Sequence, residues 1–285
     1  MNEIRERAYA KLNISLDVMA KRPDGYHDML MVMQTVSLWD DVQITLNDEG
    51  RFSASSNLHF IPGDERNLAV KAAMRYLAAA GEQGKGAHIA MQKRIPVGAG
   101  MAGGSADAAA VLKALEQHFQ GRLGREKLME LAAEVGSDVP FCVMGGTALA
   151  EGRGEILSPL PPMPDCFFVI CKPEFSISTP ELFKKLDSSN SRRHPDTAGI
   201  IQALEKGELR QICRRMYNVF EDVDDRRMRI VSQIKGQLLD NGALSAMMTG
   251  TGSAVFGVFD DEDSARAAAK VMKKLCGFCT VARPV

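Results

Sequence analysis

No stretch of this 285-residue sequence approaches the roughly 20 consecutive apolar residues needed to cross a bilayer as a helix. The opening residues, Met1 to Ala8, lack the apolar core of a secretory signal, and the reading is of a cytoplasmic protein. A surplus of one charge is also lacking, because 35 Lys plus Arg against 36 Asp plus Glu leave a net charge of -1. Such a balance gives no general pull toward nucleic acid or an anionic membrane, so any anion site must be built locally. Cysteine is sparse, with six residues at 142, 166, 171, 213, 276 and 279, and a chain of this size needs no stapling, which fits a reducing cytosol. Cys276 and Cys279 form a C-x-x-C pair without a second pair or a thioredoxin-like setting, so they read as buried, unreactive thiols rather than metal or redox groups. Repeats and low-complexity segments are missing as well.

What is present is the composition of a globular protein, 45% apolar and 25% charged, enough for one large or two ordinary α/β domains. The densest proline run, Ser158 to Pro164, is the expected boundary, giving domains 1–157 and 158–285.

The stretch Arg94 to Phe119 organises the rest. Gly98, Gly100, Gly103 and Gly104 allow tight turns and bare N–H groups, Ser105 and Asp107 stand where an N-cap and a first-turn acid are expected, and Val111, Leu112, Leu115 and Phe119 recur at helical spacing. A glycine loop opening onto a helix start favours an anion, phosphate first. The dinucleotide pattern G-x-G-x-x-G is met formally, but the acidic residue required about 20 residues on is replaced by a helix-to-helix turn at Gly121 to Lys127. A Walker A loop is excluded by the lack of Lys-Ser or Lys-Thr after the glycines. A loop needed only for close packing stays open on this evidence.

Around that loop the order of elements reads as follows. Leu12, Ile14, Leu16 and Val18 alternate as a half-buried strand with Lys11, Asn13, Ser15 and Asp17 opposite, where a lone lysine reads first as a solvated face residue. A Pro-Asp-Gly turn delivers Tyr26 and His27, readable as a packed strand end and a surface imidazole. Strand patterns cover Met29 to Leu46, broken by a turn at Trp39 to Asp41, and His88 to Ile95; a helix opens at Asp64 to Lys71 and another covers Arg125 to Val135. Asp138 sits between Gly136 and Pro140 in a non-repetitive segment, by default a turn former, and Phe141 to Glu151 reads as a strand. Beyond the prolines come a strand at Cys166 to Cys171, a loop with Thr179, a helix from Glu181 bearing Phe183, a polar surface loop over Ser188 to His194, and helices at Thr197–Lys206, Glu208–Phe220 and Arg226–Asn241. A small-residue loop, Thr249 to Ser253, then enters a strand at Val255 to Phe259, a helix capped by Asp263 or Ser264 follows, and Thr280 to Val285 closes a split βαβ ending.

Three separated stretches, Ala10 to Ile14 with Asp24 to His27, Pro96 to Ala109, and Met248 to Phe256, resemble the three signature motifs of the GHMP kinases, the galactokinase, homoserine kinase, mevalonate kinase and phosphomevalonate kinase family. The likeness is colinear over nearly the whole chain. It implies an α+β, two-layer GHMP kinase fold, with an N-terminal ribosomal S5 domain 2-like nucleotide-binding domain and a C-terminal split βαβ (ferredoxin-like) domain. Asp24 to His27, Gly136 to Pro140 and Ser176 to Pro180 are similar to the branch that phosphorylates the 2-hydroxyl of CDP-methylerythritol. The resemblance then implies ATP and Mg²⁺ as cofactors, a small-molecule substrate, no nucleic acid or membrane partner, and a monomer or homodimer. By position it makes Asp138 the catalytic base and Lys11 the lysine beside it, favouring the charged carboxylate or stabilising the alkoxide. ATP would be held by Pro96, Val97, Gly98, Ala99, Gly100, Met101, Ala102, Gly103, Gly104, Ser105 and Ala106, with Asn67 near the adenine. Substrate would meet Asn13 near the reacting hydroxyl, Tyr26 and Phe183 on the two faces of the cytosine, His27 at its edge, and Thr179. Thr249, Gly250, Thr251 and Gly252 form the third, phosphate-proximal motif. These implications overturn the bland readings of Lys11, Tyr26, His27 and Asp138.

Two departures stand out. Ala106 replaces a serine common in the family's loop, which leaves the metal ligands unassigned, and Ser137 replaces a common alanine. Other kinases of the family (homoserine or mevalonate type), a non-catalytic nucleotide-binding regulator and a dinucleotide oxidoreductase are the rivals; the aromatic pair argues against the first and the paired Lys11 and Asp138 against the second.

Overall fold

In the computed structural model, which describes residues 3–188 and 193–285, two long strands carry the chain through both halves of the molecule. They are β1 (Glu3–Lys21) and β2 (His27–Asn47), and each contributes to two compact units, one made of residues 3–10, 38–97 and 102–145, the other of 11–37, 98–101 and the rest from 146 onward. The middle of the polar loop expected over Ser188 to His194 lies outside the described residues.

In the first unit, β3 (Phe52–Ser56), α1 (Leu68–Ala79) and β4 (Gly86–Gln92) follow β2. The far end of β2, Asp41 to Asn47, pairs antiparallel with β4, and β4 pairs parallel with β3. The expected turn at Trp39 to Asp41 does not form. Asp40 instead accepts the backbone N–H groups of Arg94 and Ile95, and Asp41 those of the Trp39 indole and the Arg94 guanidinium, so acids that look like turn formers serve as anchors inside a continuous strand. The other layer is helical: α1, α2 (Gly103–His118), α3 (Gly124–Val135) and α4 (Val139–Met144) pack on one another. A run of small side chains on α2, Ala106, Ala108, Ala109, Ala110 and Ala114, is buried and lets α1 and α4 come close, with Val111, Leu112 and Leu115 filling the core.

Within the second unit, β5 (Thr147–Glu151) pairs antiparallel with the near end of β2, and β6 (Ile156–Pro159) with β5. The strand expected over Phe141 to Glu151 is therefore a helical turn followed by a strand, because Gly145 and Gly146, both at positive φ, separate them. Next come β7 (Phe167–Lys172), α5 (Thr179–Asp187), α6 (Thr197–Glu205), α7 (Leu209–Arg215) and β8 (Tyr217–Asn218). The helix expected to reach Phe220 stops at Arg215, since Tyr217 and Asn218 pair parallel with Ser15 and Leu16 of β1. After α8 (Arg226–Asp240) the chain ends in β9 (Ser245–Met248), β10 (Val255–Phe259), α9 (Glu262–Met272) and β11 (Phe278–Ala282). These make a four-stranded antiparallel sheet in the order β11-β7-β10-β9, covered by α8 and α9. The split βαβ expectation is borne out, with every residue of β10 buried; the cap of α9 is Asp261, which accepts from Ser264 N at 2.8 Å, in place of Asp263 or Ser264.

Candidate active site

The glycine-rich segment is divided by its own contacts. Its apex, residues 98–101, packs in the second unit against the loop after β9. Gly100 has φ +75°, and a Cβ there would lie 2.2 Å from the Thr249 carbonyl oxygen, so only glycine permits this backbone-on-backbone contact. Thr249 Oγ1 reaches Gly100 O at 3.3 Å, Ala254 N donates to Ala99 O at 3.2 Å, and Lys11 N donates to Met101 O at 3.2 Å. The first, second and third motifs thus meet through the backbone, the kind of junction that spaced single-chain motifs are used to build.

Asn13 ties the same region from inside. It is fully buried, accepts on Oδ1 from Lys11 Nζ at 2.7 Å and from Gly250 N at 3.0 Å, and places Nδ2 3.3 Å from Met31 Sδ. Its Oδ1 is spent on the protein, and one of the three Lys11 donors is spent on it. Lys11, Ser15 and Asp17 are buried too, so the strand has no solvated face here. Asn218, hidden by the helical pattern around it, donates to Met248 O and Gly250 O at 2.8 Å each, and Glu221 accepts from Met248 N at 2.7 Å. These two hold the third-motif loop, and no local signal marks them in the sequence.

A second cluster of the same unit gathers the aromatic candidates. His27 is stacked on Phe183 with ring centroids 4.7 Å apart and 23° between planes, and Phe183 meets Phe220 edge-on at 4.9 Å. His27 Nε2 lies 2.7 Å from Asp187 Oδ1, whose other oxygen takes Lys21 Nζ at 2.8 Å. The Lys21 and His27 contacts pull the Asp187 carboxyl below the usual carboxylate range, Lys21 most strongly. Tyr26 is 55% exposed and carries the Arg153 guanidinium 5.0 Å from its ring centre. Thr179, at the start of α5, shares a hydroxyl contact of 2.8 Å with Thr251 of the third motif.

The first unit holds the remaining candidates. α2 begins at Gly103 with Ala102 as its N-cap at φ +58°, and no side chain caps it; Ser105 lies inside the first turn and Asp107 deeper, correcting the expected cap. Because the first backbone N–H groups of a helix have no acceptor within it, those of Gly103, Gly104 and Ser105 form a bare, electropositive end. Asp138 is the N-cap residue of α4 but its carboxylate makes no capping hydrogen bond. Asn67 is committed differently: Oδ1 caps α1 through Ala69 N at 3.0 Å and Nδ2 donates to Pro62 O at 2.9 Å. Among the described residues no cluster of three or more His, Cys, Asp or Glu side chains is built to hold a metal ion. The Ser105 hydroxyl and the Asp138 carboxylate are hard oxygen donors of the type Mg²⁺ takes together with substrate phosphates.

Comparison with known proteins sets this geometry in context. The GHMP kinases N terminal domain matches residues 67–146 and the GHMP kinases C terminal domain residues 200–277. The sequence is 43% identical over 268 residues to the 4-diphosphocytidyl-2-C-methyl-D-erythritol kinase of Lachnoclostridium phytofermentans, covering 94% of this chain and 92% of the relative. To the Clostridium botulinum protein of the same name it is 44% identical, with 94% and 95% covered. Among solved structures, a 4-(cytidine 5'-diphospho)-2C-methyl-D-erythritol kinase superposes with TM-score 0.82 at 32% identity over 99% of both chains. A homoserine kinase from Cytophaga hutchinsonii shares the fold, with TM-score 0.78 at 20% identity over 100% of this chain and 95% of that one.

Proposed function

The chain belongs to the GHMP kinases, and from that premise we infer that it transfers the γ-phosphoryl of ATP to the 2-hydroxyl of 4-diphosphocytidyl-2-C-methyl-D-erythritol, giving the 2-phosphate and ADP in non-mevalonate isoprenoid biosynthesis. The observation that carries this is identity above 40% to kinases of that name along nearly the full length of both chains. Mg²⁺ would arrive with the nucleotide, with Ser105 the donor the loop offers, and would neutralise phosphate charge. The boundary expected at 157/158 would cut β6, whereas the compact units change over at 145/146. Charged diphosphate substrates favour the cytoplasm as the place of work.

Phosphoryl transfer passes through a loose transition state, so in-line positioning and charge stabilisation supply most of the catalysis. Residues 96–106 would hold the triphosphate, the N–H groups of Gly103 to Ser105 pointing at its oxygens. Asp138 would take the hydroxyl proton and Lys11 would stabilise developing negative charge. Asn13 would hold the Lys11 ammonium against the third-motif loop through Oδ1 while its amide group stays near the reacting hydroxyl. Adenine would sit beside the start of α1, placed by the Asn67 cap. For the cytidine end, Asp187 favours the proton on His27 Nε2, which leaves Nδ1 as an acceptor for the exocyclic amine of cytosine. Tyr26 and Phe183 would offer it ring faces, and Thr179 with Thr251 a pair of hydroxyls for the diphosphate.

Coupled-enzyme measurement of ADP release with CDP-methylerythritol, homoserine and mevalonate tests the reading: turnover with the first alone is expected, and preference for either of the others overturns it. Tyr26→Ala should raise KM for the cytidyl substrate about fivefold, the low end for stacking on an exposed ring. KM for ATP and the melting temperature should hold, since Tyr26 is mostly exposed. A rise in the ATP KM alone would remove Tyr26 from the cytidine site.

A further inference from the structure

Beneath the ends of the glycine-rich segment lies a buried ion cluster that the reaction as described does not use. Lys93, just past β4, pairs with Asp40 Oδ2 of β2 at 2.5 Å and with the Asp107 carboxylate of α2, and the three side chains are 3%, 0% and 4% exposed. All three belong to the first unit. Stability alone is a poor reason for such a cluster, because well-packed apolar residues commonly replace buried ion pairs without loss. Its contacts suggest another. Asp40 Oδ1 accepts from Arg94 N and from Ile95 N (2.8 Å), the last two residues before Pro96, while Lys93 Nζ also reaches Gly103 O at 3.4 Å, the first residue of α2. The Ile95 side chain packs against the same residue, 3.1 Å from where a Gly103 Cβ would stand. One polar cluster therefore grips the chain on both sides of residues 96–102.

We propose that Lys93, with Asp40 and Asp107, is a clamp that fixes the separation of the two ends of the phosphate loop and so aims the first N–H groups of α2 at ATP; the three are positioning residues. This rests on the reading that residues 96–106 hold the triphosphate. Two further observations fit it. Asp107 Oδ1 is buried without a hydrogen-bond partner, so the acid is not there to satisfy its own polar atoms. Burial, reinforced by the neighbouring Asp40 charge and opposed by Lys93, pushes its carboxyl up to about 7, so the cluster sheds part of its surplus negative charge at neutral pH, beneath a loop meant for an anion.

The test is titration calorimetry with ATP and, separately, with CDP-methylerythritol, on the full chain, with circular dichroism and melting curves as a check of folding. Lys93→Met should weaken ATP roughly tenfold or more, the scale of a small misplacement, while affinity for the cytidyl substrate holds and KM for ATP moves in step. A folded Lys93→Met that binds ATP like the unchanged protein overturns the clamp, and so does equal weakening of both ligands. Should Lys93→Met fail to fold, Asp107→Ala and Asp107→Asn decide: the clamp requires that Asn, which keeps an acceptor for Lys93, recover most of the ATP affinity that Ala loses, and equal affinities overturn it. Gly104→Ala separates the two layers of the argument. If it leaves ATP binding intact, the phosphate-loop reading falls and takes the clamp with it; if it weakens ATP where Lys93→Met does not, the clamp alone falls.

Discussion

Asp138→Asn is expected to lower kcat by on the order of 10²-fold or more while the ATP dissociation constant holds, the scale of a positioned general base. The acceptor is an alcohol, a far weaker acid than a carboxylic acid, so its proton can move only late, as the new P–O bond forms. An amide cannot take that proton, whereas in size and shape it matches the carboxylate. The local fold gives no reason for the substitution to be disruptive. Asp138 is held by its backbone, with Val139 N on Gly136 O and Cys142 N on Asp138 O, both at 3.1 Å, and with Pro140 in the first turn of α4; its carboxylate caps nothing. The melting temperature should therefore barely move. Single-turnover phosphoryl transfer and ATP calorimetry on the same preparation check this, and a variant with near-normal turnover would take Asp138 out of the mechanism.

How much of this was readable from the sequence depends on whether the information is local. The C-terminal βαβ ending was legible because the short, wholly apolar run of β10 and the acid-rich start of α9 are each set within a few residues. The glycine segment was legible as a tight loop opening onto a helix for the same reason, although not which glycine does what: Gly98 and Gly100 carry positive φ, while Gly103 and Gly104 are ordinary helical residues. Alternation in β1 promised one solvated face, yet Lys11 and Asn13 are buried because a loop more than 230 residues away in the chain lies over them. Nothing local reports such a lid. Asn218 was lost to the opposite error, since the residues around it have helical spacing and only pairing with Ser15 and Leu16 turns Tyr217 and Asn218 into a strand. The short apolar run of α4 looked like a strand because six residues are too few for helical and strand periods to separate. Lys93 and Asp40 drew no notice as partners; their ion pair joins β2 to the end of β4 and exists only in the folded sheet.

Gly104→Ala should part stability from function in a way the other loop glycines cannot. At Gly100 an added methyl would strike the Thr249 carbonyl at 2.2 Å in a backbone region that costs a non-glycine residue, so Gly100→Ala is expected to lose about 2 to 4 kcal/mol of stability whatever its effect on ligand. Gly104 has neither constraint: its backbone is helical, and the nearest atom to an added Cβ is Leu68 Cδ1 at an ordinary 3.8 Å. Replacing glycine inside a helix gains up to about 1 kcal/mol, less in a first turn. The folded protein alone therefore gives Gly104 no reason to be glycine. A phosphate oxygen drawn to the N–H groups of Gly103, Gly104 and Ser105 supplies one, because it must approach the backbone more closely than a methyl allows. Losing one or two charge-assisted hydrogen bonds, each worth about 1.5 to 3 kcal/mol, corresponds to roughly a hundredfold weaker ATP binding. The expected result is a protein that melts at or slightly above the temperature of the unchanged chain and binds ATP far more weakly, by calorimetry on one preparation. Unchanged ATP affinity in Gly104→Ala would mean that the start of α2 is not where the triphosphate sits, since no other property of the position could absorb the substitution.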